Sequence, residues 1–241
     1  MDVIYTVYNE FPHNQLEDSE PYPGDYIPKR LRTKLEFKKH YDRLVENKLT
    51  YAEFCEAEFI VDETPCKNYE ELNHHKLKRF EELANKFDNV CYLDFDVIVN
   101  NAPNIFTKFD MSKINAFSIN TNDMIPTGDH YDYKSKLFHK QEMLDDYTSN
   151  LIFNTGILVG GSEVIRKINY INNIDNLKQI TSDLELPFVS NNEVYFTYLI
   201  EKNNIPYAQL PEDWHSFEYK PSANLVHPIL KDFDKIWQNL I

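Results

Sequence analysis

Val90-Cys91-Tyr92-Leu93-Asp94-Phe95-Asp96-Val97-Ile98-Val99 is a pair of apolar runs joined by two carboxylates that a single residue separates. Runs of this length, rich in Val and Ile, read as strands buried on both faces, the kind that build parallel sheets. A carboxylate in such surroundings is costly unless a cation compensates it. In an extended segment residues i and i+2 share a face, so Asp94 and Asp96 are expected to converge on one ion while Phe95 points away. Two hard oxygen ligands at the carboxyl end of a strand suit Mg²⁺ or Mn²⁺ held against a phosphate. The bland alternative is a helix cap beside a surface acid, but Val97-Ile98-Val99 reads as the strand continuing.

The segments before this stretch alternate. Val3 to Tyr8 is β-branched and aromatic and reads as a first strand, and Asn9 to Pro28, with its Pro23-Gly24 pair, reads as a long loop. From Lys34 a helical stripe of Phe37, Tyr41, Leu44 and Val45 follows, then a second helical stretch over Tyr51 to Glu56. Glu58 to Val61 is a second strand. Tyr69 to Phe87 is a helix that buries Leu77, Phe80, Leu83, Ala84 and Phe87 and leads into the aspartates. Strand, helix, strand, helix, strand implies an α/β fold: a mostly parallel sheet flanked by helices, with right-handed crossovers. Ligands of such sheets bind outside the carboxyl ends of the strands, which is where the aspartates fall.

After Val99 the pattern loosens. Ile114 to Ile119 and Ile152 to Val159 read as strands, Val164 to Ile174 and Val194 to Lys202 as helices, Asn224 to His227 as a last short strand, and the segment from Lys231 as a terminal helix. Asn120 to Asn150 shows no period and is read as loop with short helices. No repeat or linker divides the chain, so residues 1–241 are expected to form a single domain.

A formal charge of −14 argues against a nucleic-acid or anionic-membrane surface, since phosphate backbones need a basic footprint. It leaves room for a nucleotide, because a bound divalent cation reverses the local field. The three cysteines lack paired spacing, which fits reduced thiols and a cytoplasmic location. Met1-Asp2 and the short apolar run behind it are unlike a signal peptide, and no window approaches the ~20 apolar residues of a membrane span.

Other residues have chemistry to offer. His227 after an apolar run is either a core histidine or a third ligand. With two carboxylates an imidazole makes a mixed N/O site that favours Mn²⁺. Lys231 is a surface helix lysine or a point charge for a phosphate oxygen. Asn154-Thr155-Gly156 interrupts a strand, where glycine marks either a bulge or the close approach of a ligand. Glu193 sits where a helix begins and caps it or meets a substrate. Lys76, on the helix before the aspartates, is either solvated or paired with a diphosphate. No Gly-rich phosphate loop is present.

Ala57 to Val61, Tyr92 to Val99, Asn104-Ile105-Phe106, Phe153 to Val159, Asn192-Glu193, Leu210 to Trp214 and His227 resemble, in that order, the GT-A nucleotide-sugar glycosyltransferases. The nearest pattern is the retaining family 8 group of glycogenin-like and lipopolysaccharide galactosyltransferase-like enzymes. The resemblance implies a nucleotide-binding half over 1–110 and an acceptor-side half over 111–241. It implies that Asp94 contacts ribose and metal, that Asp96 is the main ligand of Mn²⁺ (or Mg²⁺), and that His227 completes the metal site. Lys231 and Lys76 would neutralise the donor diphosphate, and Thr6 and Tyr8 would line the nucleoside pocket. Asn154 and Glu193 would border the transferred sugar and acceptor, with Glu193 and Asp123 the candidate acids.

The function this implies is metal-dependent transfer of a hexose from a nucleotide sugar, a UDP-hexose, to a glycan or other hydroxyl acceptor. Retention and inversion both remain open. Two rival readings stand beside it. Nucleotidyl transfer to a sugar phosphate also uses acidic metal ligands but normally brings a Gly-rich first loop. A non-catalytic glycan-binding module would use the aromatic residues for stacking. The oligomeric state is not legible.

Overall fold

The structure is a computed structural model in which residues 1–10, 21, 26–118, 149, 151–183, 192–229 and 231–240 are described. Its centre is a six-stranded sheet. In chain order the strands are β1 (Asp2–Val7), β2 (Glu58–Asp62), β3 (Asn89–Leu93), β5 (Ile114–Ser118), β6 (Phe153–Gly161) and β7 (Tyr207–Gln209), and they lie side by side as β2-β1-β3-β6-β5-β7. β1 pairs in parallel with β2 and β3, and β5 with β7, while β6 runs antiparallel to both of its neighbours. The sheet is therefore mostly parallel, as the alternating pattern of the first hundred residues predicts.

Helices cover both faces, which is what strands buried on both sides require. One face of the sheet packs Val3 and Tyr5 of β1 and Val90 and Tyr92 of β3 against Leu77, Phe80 and Leu83 of α2 (Tyr69–Leu83). On the same side lie α4 (Ser162–Arg166), α5 (Tyr170–Asp183) and α6 (Asn192–Lys202). The opposite face sets Ile4, Cys91 and Leu93 against Tyr51 and Ala52 of α1 (Lys29–Phe54), against Ile105 and Phe106 of α3 (Ile105–Lys108) and against Trp214. The continuous apolar runs of the strands and the roughly 3.6-residue stripes of the helices thus meet in one layered core.

The structure corrects several local expectations. The two helical stretches between Lys34 and Glu56 are one helix, α1, starting at Lys29. The helix expected over Val164 to Ile174 is broken into α4 and α5 at Asn169, whose φ of 55° lies in the left-handed region. Lys231 does not begin the terminal helix. It has a φ of 55°, and α7 (Phe233–Asn239) starts beyond it.

The largest correction falls on the aspartates. β3 ends at Leu93, and Val97 N–H donates to the Asp94 carbonyl at 2.9 Å, so Asp94 to Val97 form a turn. The strand does not continue through them. β4 (Ile98–Val99) joins a separate two-stranded antiparallel ladder with β8 (Leu225–Val226). The reason lies in pairing: β3 runs out of sheet partners at the Leu93–Ile157 pair, and Asp94 N–H makes a last bond, 2.7 Å, to the Gly156 carbonyl. The ladder of β4 with β8 places His227 beside the turn, because His227 follows directly on β8.

Candidate active site

Leu93 and the turn after it lie at the carboxyl edge of the sheet. Because β6 runs against the other strands, its first residues reach the same edge and set Asn154, Thr155 and Gly156 next to Asp94. A cleft of about 580 Å³ opens there. Its floor includes Asp94, Asp96, Asn154, Glu193 and His227, and its walls carry Lys29 and Arg30 of α1, Lys76 of α2, and Lys231. In a chain of strongly negative charge, four cationic side chains here face three carboxylates, which suits the cleft to an anionic ligand.

Asp94, Asp96 and His227 offer ligand atoms that all lie within 4.8 Å of one another. His227 Nε2 stands 3.6 Å from Asp94 Oδ2 and 3.4 Å from Asp96 Oδ1. The outer oxygens are already engaged. Lys231 Nζ is paired with Asp96 Oδ2, and Lys76 Nζ lies 3.2 Å from Asp94 Oδ1, which also accepts from the Tyr92 hydroxyl. Asp96 Oδ1 and Asp94 Oδ2, the latter 3.5 Å from Lys76 Nζ, face the imidazole and make with it a mixed carboxylate and imidazole donor set of the kind a divalent transition ion takes. The residues fit such an ion.

The electrostatics agree with that division of labour. Burial alone would push the Asp96 carboxyl up, but Lys231 and His227 outweigh it and hold it well below the usual carboxylate range. Burial, then the charge of Asp94 and its hydrogen bond, raises the Tyr92 phenol well above its ordinary value, so it stays protonated as a donor. Lys231 Nζ also donates to the Pro228 carbonyl at 2.8 Å, an arrangement held by its left-handed backbone. Strain of this sort at a non-glycine residue is concentrated at functional sites.

β6 answers the question that Asn154-Thr155-Gly156 posed. Against β5 its register jumps from Ala116–Leu158 to Phe117–Asn154, so the segment is a bulge. Asn154 Oδ1 accepts from Gly156 N–H at 2.8 Å and so stabilises the bulge from within. The Asn192 amide donates to Thr155 Oγ1 at 2.8 Å, and Thr155 N–H donates to Glu193 Oε1 at 3.3 Å. Asn154 and Glu193 are thereby brought to the same floor as the triad.

Thr6 and Tyr8 are placed elsewhere. Thr6 is fully buried and Oγ1 finds no hydrogen-bond partner among the described residues. Tyr8 packs its ring on Tyr41 and Phe95 and donates to Glu10. Neither lines the cleft, because Val7, between them, is the β1 residue that faces it. Asp123 lies outside the described residues, as does most of Asn120 to Asn150.

Sequence reading passed over three residues that hold this floor in place. Lys48 is completely buried in α1 and donates to the carbonyl of Phe95, between the two aspartates, at 2.8 Å. Burial pushes its ammonium down to about 7, with Asp96 and Asp94 acting the other way. Asn47 makes both backbone bonds to Val99, each 2.8 Å. Adjacent residues of one helix thus hold the turn at Phe95 and the strand that follows it at Val99. Lys48 could have been found, since it continues the stripe of Tyr41, Leu44 and Tyr51. His215 is the third. It meets His227 Nδ1 at 3.0 Å through Nε2, and nothing in the sequence around Trp214 marks it.

Comparison with known proteins places the fold. No family model and no curated protein matches the chain. Among solved structures, a glycosyltransferase involved in the glycosylation of the major capsid of PBCV-1 superposes with a TM-score of 0.55 at 15% identity, covering 99% of this chain and 98% of the other. Mouse xyloside xylosyltransferase 1 gives 0.46 at 10% identity over 95% and 98% of the two chains. The galactosyltransferase LgtC, solved with donor and acceptor sugar analogues, gives 0.46 at 10% identity over 95% and 87%. At these identities the likeness is one of fold, and the PBCV-1 enzyme shares that fold along nearly its whole length.

Proposed function

We propose that the chain is a metal-dependent glycosyltransferase that moves a hexose from a nucleotide sugar, a UDP-hexose, to a hydroxyl acceptor on a glycan or a glycosylated protein. The observation that carries this reading is the convergence of Asp94, Asp96 and His227 at the floor of a cationic cleft. The fold shared with the PBCV-1 glycosyltransferase supports it. Asp94, Asp96 and His227 would hold Mn²⁺ or Mg²⁺, and such an ion supplies charge stabilisation to a departing diphosphate.

The remaining roles belong to the protein's own groups. Lys231 and Lys76 neutralise the outer oxygens of the aspartates before a ligand arrives and offer their charge to the diphosphate once it does. Tyr92 fixes the Asp94 carboxylate by its hydroxyl. Lys48 and Asn47 keep the turn rigid, so the carboxylates need no rearrangement on binding. Asn154 and Glu193, fastened to one another's strand and helix through Thr155, border the space for the transferred sugar and acceptor. Asp123 keeps its place as a candidate acid from the sequence alone.

A panel of nucleotide sugars, screened by thermal shift and by hydrolysis with and without Mn²⁺, tests the proposal. One UDP-hexose should raise the melting temperature in a Mn²⁺-dependent way and be slowly hydrolysed, since a ligand stabilises by its concentration relative to its affinity. Pyrophosphate release from a nucleoside triphosphate and a sugar phosphate would instead establish nucleotidyl transfer. Sugar binding that needs neither nucleotide nor metal would establish a glycan-binding module.

A further inference from the structure

His215 has no part in the chemistry above, yet it stands directly behind His227. It is 1% exposed, and the rings of Phe117 and Phe217 hold it at centroid distances of 5.0 and 5.1 Å. Its Nε2 lies 3.0 Å from His227 Nδ1. Its other nitrogen, Nδ1, is buried and finds no hydrogen-bond partner among the described residues.

Two imidazole nitrogens at this distance share one hydrogen, so one donates and the other accepts. His227 Nε2 faces Asp94 and Asp96. To take a metal that nitrogen must be bare, which puts the ring's hydrogen on Nδ1 and points it at His215. His215 Nε2 is then the acceptor, and the hydrogen of His215 itself sits on Nδ1, the atom without a partner. Buried polar atoms without partners are rare and unfavourable. Packing alone does not explain the residue, because a phenyl ring would fill much of the same space and carry no unpaired nitrogen of its own; what it cannot do is accept from His227 Nδ1.

We infer that His215 is a positioning residue that fixes the tautomer and direction of the His227 imidazole, so that Nε2 presents its lone pair toward a divalent cation between Asp94 and Asp96. This rests on reading the triad as a metal site. Metal-bound histidines depend on such a partner on the far nitrogen, and its loss weakens metal affinity about 10–100-fold. The substitution that removes the acceptor here also removes the unpaired nitrogen. It leaves His227 Nδ1 unpaired in exchange, so stability should change little while metal affinity falls, which a merely structural histidine would not produce.

The experiment is titration of the full chain with Mn²⁺, followed by electron paramagnetic resonance of the free ion, beside metal-free melting curves. His215→Phe should melt close to the native protein yet bind Mn²⁺ about 10–100-fold more weakly. His215→Gln, whose amide oxygen can accept from His227, should recover most of the affinity. Native-like Mn²⁺ binding by His215→Phe overturns the inference. So does a His215→Phe protein that loses stability and affinity together while His215→Gln rescues neither. If the native chain shows no Mn²⁺ binding that Asp96→Asn abolishes, the metal reading of the triad fails, and this inference falls with it by a separate observation.

Discussion

Gly156 lies flat against the imidazole of His227: a Cβ at 156 would come within 2.3 Å of His227 Cε1 and 2.7 Å of Nδ1. Neither distance is open to a real side chain. The bulge of β6 and the ladder between β4 and β8 converge at this contact, one supplying a residue with no side chain and the other the ring that occupies its place. His215 bonds the same ring at Nδ1, so His227 is held by both neighbours.

Gly156→Ala is accordingly expected to displace His227 from its bond with His215. Overpacking of this kind costs about 1–3 kcal/mol, and a lost or misdirected ligand should weaken Mn²⁺ binding by about tenfold or more. Denaturant unfolding reads the first effect and spin-resonance titration the second. An alanine variant with native Mn²⁺ affinity would show that the ring yields freely.

Asp96→Asn removes the buried partner of Lys231 as well as the central carboxylate. Breaking a buried pair by removing one member costs about 3 kcal/mol, so the metal-free protein should melt lower than the native one. Mn²⁺ and the donor nucleotide should then no longer raise its melting temperature, and transfer should fall by at least about a hundredfold, or about 2.7 kcal/mol. Full Mn²⁺-dependent transfer by this variant would sink the proposed function.

Lys48 gives a pH signature. Its folded value, about 7, lies below that of a lysine in the unfolded chain, so between these two values the unfolded state binds more protons. The group therefore lowers stability below pH 7 and ceases to do so as pH rises toward the unfolded value. The melting temperature of Lys48→Met relative to the native protein should be most favourable near pH 7 and become less so by pH 10. A difference independent of pH would mean that the buried lysine does not titrate in this range.

Asn68 caps α2: its Oδ1 accepts from Glu71 N–H at 2.8 Å, and the Glu71 carboxylate accepts in return from Lys67 N–H. Asn68→Ala should cost about 1 kcal/mol in unfolding experiments. Lys76 lies two turns further on and is fixed by its own packing, so nucleotide affinity should be unaltered.

The mostly parallel sheet is legible because each element carries its own pattern: Val3 to Tyr8 and Val90 to Leu93 are continuous apolar strands, and Leu77, Phe80 and Leu83 form a helical stripe. Asp94 and Asp96 were legible for a related reason, since two acids at the end of an apolar run need a cation. The geometry that joins them is not legible there. An extended strand and a tight turn both bring i and i+2 together, and only the end of β3's pairing with β6 shows which operates. Thr6 and Tyr8 were assigned by resemblance. The strand's alternation turns Val7 to the cleft instead.

His227 enters through the resemblance; by itself, the sequence determined the α/β architecture, the carboxyl edge as the ligand-binding edge, and Asp94 and Asp96 as the acids on it. All of this is local information, written in the spacing of neighbouring residues. Tertiary structure alone decided that Lys231 and Lys76 already neutralise the aspartates, that Lys48 and Asn47 clamp the turn, that Gly156 makes room for His227, and that His215 stands behind it. Each of these joins residues far apart in the chain. A contact between distant segments is set by how whole elements pack, and no periodicity in either segment records it.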